Sequence, residues 1–222
     1  CYRNSILKTV VGTAISLLLT AMTAYPLSVA RFKGRNFFSL MIFFTMLFGG
    51  GMIPTYLLIR DLHLLDTFWV YVLPGAVSAY NLFILRNFFQ SIPASLEESA
   101  HLDGANPFQI LFKIVIPLSL PALAALAMFY GVGLWNGYMD NVLYVNNQEM
   151  QLLQNYLRQL IAAAGAKSGT MSEMSNIGAA SRLTEETVKM TVITVSVIPV
   201  LIVYPFLQKY YTKGVMVGSV KG

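Results

Sequence analysis

The chain has 222 residues, of which 56% are hydrophobic and only 11% charged, whereas about a quarter of residues are charged in an ordinary soluble domain. Its net charge of +5 would suit nucleic acid in a soluble protein. Here the basic residues flank apolar stretches, so lipid headgroups and topology account for them instead. A single cysteine excludes an intrachain disulfide and a cysteine metal cluster.

Crossing a hydrocarbon core of ~30 Å takes ~20 helical residues. Residues 9–30, 36–59, 67–85, 114–139 and 190–208 each carry no Asp, Glu, Lys or Arg. These five stretches leave no room for a separate soluble domain. The expected fold is an all-α integral membrane protein, a polytopic helical bundle with residues 1–222 as one transmembrane domain.

The first stretch is followed by Arg31, Lys33 and Arg35 in a short loop, which places that loop on the cytoplasmic side. Threading from it puts the N-terminus, residues 60–66 and residues 140–189 outside. Residues 93–117 and the C-terminus are then inside. The second stretch carries Gly49, Gly50, Gly51 and Pro54 towards its outer end. Glycines let helices approach and proline frees a carbonyl, so either a broken helix lining a cavity or a packing notch is expected. The third contains Pro74-Gly75 and then Tyr80-Asn81. An amide at that depth should face a partner helix or a pathway.

Residues 93–117 form a long polar segment between two apolar runs. Pro93 suits a first helical turn, and Ser95 and Glu98 have capping-box spacing. The helix should stop at Asp103-Gly104, where glycine can take the left-handed conformation. Asn106, Pro107 and Gln109 read as a second helix start. A short helix, a sharp turn and a second helix at the base of a bundle form a handle for a partner protein.

The fourth stretch has Pro117 and Pro121 at its inner end and Trp135, Asn136 and Tyr138 at its outer end, with Asp140 beyond. These residues suit either an interfacial aromatic belt or a sugar site of aromatic faces and polar groups. Within residues 140–189, Met150, Leu153, Tyr156, Leu157, Leu160 and Ile161 recur at helical spacing. They predict an amphipathic helix too polar to cross, followed by a flexible connector over residues 162–170.

No catalytic constellation is present. Lys167-Ser168 lacks the glycines of a phosphate loop, and Gly131 and Gly133 lack the third of a dinucleotide fingerprint. His63 and His101 lie on opposite sides in this topology, so no metal pair is evident. The chain is therefore not expected to be an enzyme. An ion-driven secondary transporter would carry ionisable groups in its spans, and the five stretches have none.

Glu98-Ser99-Ala100, three residues, Gly104, nine residues, Ile114, one residue and Ile116-Pro117 resemble the EAA loop of binding-protein-dependent ABC importers. Ser99 stands where that pattern has alanine, and Ile116 where it has leucine. Asp103-Gly104-Ala105, the Trp135-Asn136 run and the tail from Lys213-Gly214 to Lys221-Gly222 look like the maltose-type carbohydrate permeases. The resemblance implies a type I ABC importer permease fold in a bacterial cytoplasmic (inner) membrane, with an oligosaccharide as cargo. An amino acid, peptide or phosphonate is the alternative cargo. It implies a second, related permease chain, two ATPase subunits holding ATP and Mg²⁺, and an extracytoplasmic solute-binding protein. No cofactor, metal or nucleic acid is expected on this chain.

Residue by residue, the resemblance makes Glu97, Glu98, Ser99, Ala100, Asp103 and Gly104 the ATPase-coupling set. Glu98 would meet a basic residue of the ATPase cleft, Ala100 would be small where the helix meets that cleft, and Gly104 would turn the chain. Tyr80, Asn81, Trp135, Asn136, Tyr138 and Asp140 are the candidate pathway residues. The outer loop would contact the binding protein or rest on the membrane, and the tail would reach between the ATPase subunits. Such permeases carry one more span ahead of the point where this chain begins, so the sequence is expected to start inside a longer protein.

Overall fold

A computed structural model of the chain describes residues 1–171 and 187–205. All regular structure among them is helical. Helix α1 (Tyr2–Ser28) is the axis on which the rest is laid. At ~1.5 Å per residue it reaches ~40 Å, enough to cross a bilayer. Lys8, Gly12, Ser16, Thr20 and Ala24 recur every four residues along it, and all are buried. Apart from Lys8 these are small, which lets helices approach where no water drives them together. Helices α4 (Ala79–Gln90) and α8 (Leu120–Asn136) pack on α1. A Cβ added at Gly12 would lie 2.8 Å from Leu134 Cδ1, so α8 approaches closely because that side chain is missing.

Residues 36–59, expected as one span, form two helices, α2 (Arg35–Leu47) and α3 (Met52–Asp61), which meet at 116°. Gly51, at φ +87°, is the N-cap of α3. Pro54 sits in the first turn of α3, where a missing N–H costs no helical bond. A Cβ at Gly49 would meet nothing within 4 Å, so the glycines break the helix rather than seat a neighbour.

Residues 67–85 are not one span either. A 3₁₀ turn (Phe68–Tyr71) leads through Pro74-Gly75 to α4, whose first turn is capped by Ser78. The fourth stretch is divided as well. Helix α5 (Ala94–Leu102) precedes α6 (Pro107–Ile110), a π-helical turn (Leu111–Val115) and α7 (Ile116–Leu118). The chain then bends by 84° into α8. Pro117 and Pro121, which cannot donate to a helical ladder, flank the bend at Ser119.

Among the described residues, two helices are long and apolar enough to cross a membrane unaided, α1 and a later helix, Thr187–Pro205. The two bent pairs are further candidates. The connector expected over residues 162–170 is helical instead. Helix α10 (Leu153–Met171) follows the short α9 (Met139–Tyr144) and runs straight through it, entering by Ala162, Ala163 and Ala164, alanine being the best helix former.

Contacts sort the loops to the two ends of α1. At its C-terminal end Arg31 contacts His101, and Arg86 Nε donates to the Leu27 carbonyl at 3.0 Å. At its N-terminal end Asn4 Nδ2 donates to the Glu149 carbonyl at 2.6 Å. There too Asp66 Oδ1 accepts from the Asn146 amide at 2.6 Å and the Asn147 amide at 3.0 Å. The loop after α1 and residues 93–117 therefore share one end, while residues 60–66 and 140–151 share the other. One core, with Tyr25, Phe89, Ala100 and Ile110, lies at the first end, and two lie at the second, one with Tyr71 and Tyr144 and one with Trp135 and Leu157.

Candidate functional site

Residues 93–109 fold almost wholly through local bonds. Helix α5 begins after Pro93, its N-cap, without a side-chain cap. The capping box expected of Ser95 and Glu98 does not form, because the helix starts at Ala94 and leaves Ser95 inside the first turn. The other end closes as expected. The Gly104 amide donates to the His101 carbonyl at 3.0 Å, and the Ala105 amide to the Ala100 carbonyl at 2.9 Å. With Gly104 at φ +78° this is a Schellman closure. Asn106 Oδ1 then accepts from the Gln109 amide at 2.9 Å, and Gln109 Oε1 from the Asn106 amide at 3.0 Å. The second capping box is complete, with Pro107 at the first helical position.

This double closure presents one face of α5 to its own chain and another outward. Glu97 faces inward. Tyr25 Oη donates to Glu97 Oε1 at 2.8 Å, and Arg31 Nη2 lies 3.9 Å from the same oxygen. Arg31 also donates to His101 Nε2. Ala100, expected at a partner's cleft, is instead 8% exposed inside the cluster with Phe89 and Ile110. Its small size lets α5 lie close on its own bundle. Glu98, Ser99 and Asp103 are exposed, and so are Leu102 (90%) and Phe108 (62%). An acidic edge beside two uncovered apolar side chains is a surface built for contact.

The pathway candidates differ in their surroundings. Tyr80 and Asn136 are exposed, whereas Asn81 is buried in the first turn of α4. Trp135 is taken up by packing and is not on an open surface. Its Nε1 donates to the Ser196 carbonyl at 3.0 Å, and its ring meets that of Tyr2 edge-on. Tyr138 is half-buried with the Arg158 guanidinium 4.6 Å from its ring centroid. The buried face of α10, Leu153 and Leu157, rests on Trp135 and Val192, so this amphipathic helix covers protein.

Asp140 has a partner that the sequence did not suggest. Lys8, 1% exposed, donates to the Gly137 carbonyl at 2.9 Å and lies 3.5 Å from Asp140 Oδ2. A cation there satisfies a carbonyl left over at the end of α8. Lys8 stands just ahead of the uncharged stretch 9–30, but α1 begins at Tyr2 and takes it in. The premise that the spans hold no ionisable group is thereby corrected. A second buried polar set lies beside it. Asn141 Nδ2 donates to Tyr71 Oη at 2.8 Å, and Asn141 Oδ1 accepts from Asn155 Nδ2 at 2.9 Å. No group of three or more metal-ligating side chains occurs among the described residues. The tail from Lys209 onwards lies outside them.

Residues 2–217 match the family described as "Binding-protein-dependent transport system inner membrane component". The chain belongs to this family. The permease is 51% identical over 218 residues to the polygalacturonan/rhamnogalacturonan transport system permease protein YtcP of Bacillus subtilis (strain 168). That match covers 98% of this chain and 75% of YtcP. It is 30% identical to the arabinooligosaccharides transport system permease protein AraQ of Halalkalibacterium halodurans, covering 100% of this chain and 74% of AraQ. Among solved structures it is similar to a chain of a bacterial ABC transporter involved in the import of the acidic polysaccharide alginate. That likeness has a TM-score of 0.79 at 41% identity, over 95% of this chain and 74% of the other. The fold is that of an ABC importer permease, and this permease is a non-catalytic membrane subunit. Nothing supports the ion-driven rival.

Proposed function

We propose that this permease is the transmembrane subunit of an ATP-driven carbohydrate importer, with an oligosaccharide as its cargo. The observation that carries the reading is the doubly closed α5–α6 segment, which holds Glu98, Leu102, Asp103 and Phe108 outward at one end of the bundle. YtcP, AraQ and the alginate importer are all named for carbohydrates, which supports the class of cargo.

On this reading two ATPase subunits hold ATP and Mg²⁺ and dock on that segment. Glu98 meets a basic group, while Leu102 and Phe108 are buried by the contact. Glu97 and Ala100 serve from the inner face, fastening α5 to α1 and to the core so that its displacement moves the bundle. A second, related permease chain completes the pathway, which Tyr80, Asn136, Tyr138 and Asp140 line. A solute-binding protein delivers the substrate at the end built from α9 and α10. The setting is a bacterial inner membrane crossed several times.

The test is Glu98→Ala. Because Glu98 is exposed, the variant should insert and fold as the parent does. ATP-driven oligosaccharide uptake and co-purification of the ATPase should both be lost. Normal uptake with the ATPase still bound overturns the coupling assignment.

A further inference from the structure

Between the end of α1 and the α5–α6 segment lies a groove of about 510 Å³. Its walls are apolar, with Met22 and Pro26 from α1, Phe32 from the loop after it, and Phe108 from α6. Arg31 and Lys33 supply its cations. Both are exposed. Glu97 is the acidic residue of the lining, and its carboxylate is already engaged by the Tyr25 hydroxyl.

The position narrows the occupant. The groove lies at the end of a helix long and apolar enough to cross a membrane, and with α1 spanning the bilayer that end falls near the headgroups. An occupant there meets an apolar channel leading back along α1 and an excess of positive charge at the end of that channel. Acyl chains with a negatively charged head match both features, and basic pockets between helices on the cytoplasmic side bind such heads. A neutral apolar ligand would leave the Lys33 charge unanswered, and a free anion would leave the apolar walls uncovered.

We propose that this groove binds one anionic phospholipid, its phosphate between Arg31 and Lys33 and an acyl chain along Met22, Pro26 and Phe32. Arg31 also reaches Glu97 and His101 of α5. The bound phosphate therefore shares a guanidinium with the coupling helix and ties that helix to the membrane surface. The inference rests on α1 crossing the membrane and not on the identity of the cargo.

Native mass spectrometry of the full chain, offered equal phosphatidylglycerol and phosphatidylethanolamine, tests it. The parent should retain one phosphatidylglycerol. Each basic residue near the membrane contributes roughly a five-fold preference, so Arg31→Gln with Lys33→Gln should weaken retention about thirty-fold. Met22→Trp fills the groove while leaving both cations in place, and should also expel the lipid. Lys113→Gln, which removes an exposed cation outside the groove, should keep it. Equal retention of phosphatidylethanolamine overturns the proposal, as does undiminished phosphatidylglycerol on either groove variant. Displacement by millimolar inorganic phosphate would also overturn it, since the site would then be an anion site without a lipid.

Discussion

Gly104 holds φ +78° with open space where a side chain would stand. Substitution there is purely a backbone matter. Gly104→Val should cost ~1–2 kcal/mol through the left-handed conformation alone, and should swing α6 away from its capped start. A thermal melt together with ATPase co-purification checks this, and Gly104→Asn, which tolerates that conformation better, should be milder. Lys8 is the opposite case, since its worth lies in what it satisfies. Lys8→Met strands the Gly137 carbonyl, a loss of about 1–3 kcal/mol. Little is added from Asp140, whose side chain is 43% exposed and keeps its water. A lowered melting temperature with unchanged ATPase binding is expected. Gly104 and Asn106 are legible in the sequence because caps act over a few residues. Lys8 is not, because its partner lies 129 residues away and no local pattern points to it.

At the scale of elements, hydropathy located the apolar stretches but missed their bends. A run without charges scores alike whether or not Gly49-Gly50-Gly51 or Pro117 interrupts it. The two breaks are set by φ and by missing donors, which hydropathy does not measure. The turn signals were present and were read at Gly104, but at residues 48–51 they were left between two alternatives. Trp135 shows the same limit, since a belt residue and a residue packed on a later helix look identical until that helix is placed. The loop at the opposite end has a pH signature of its own. The amides of Asn147 and Asn146 hold the Asp66 carboxyl below the usual carboxylate range. Its contribution is complete above the unfolded value near 3.9, and is lost as pH falls through the lower folded value. Amide exchange at residues 146 and 147 should therefore quicken, relative to intrinsic rates, only in acid. Asp66→Asn should abolish that dependence while retaining the left-handed backbone at φ 54°.

For the whole molecule, the pairing of loops at the two ends of α1 turns the charge argument about Arg31, Lys33 and Arg35 into a definite experiment. The native cysteine is exposed and must first be removed as Cys1→Ser. In that background Asn146→Cys should react with an impermeant thiol reagent in intact cells, and Asp103→Cys only after permeabilisation. Both positions are exposed in this chain, so with the permease expressed without its ATPase, access reports the side of the membrane rather than burial. The reverse pattern would invert the bundle and detach the α5–α6 segment from any cytoplasmic ATPase. The helix–turn–helix of residues 93–109 was legible because its turn and second cap are written in contiguous residues. The contacts of Trp135 and Asp140 were not, because their partners, Ser196 and Lys8, lie far away in the chain.

The Lys8 contact also has a consequence in time. Lys8 is synthesised near the start of α1, and the carbonyl and carboxylate that receive it are 129 and 132 residues later (137 − 8 and 140 − 8). At about 5–20 residues per second, the ribosome needs roughly 6–26 s to supply Gly137. For that interval α1 holds an ammonium group that has no protein partner. Its four-carbon stem and its place two turns from the helix end let it reach the headgroup region while it waits. The nascent permease therefore passes through a stage in which α1 is inserted but its charged end is still at the surface. Arrival of the α8–α9 junction draws that charge inward, so α1 is finished only when residues more than a hundred positions downstream have been made.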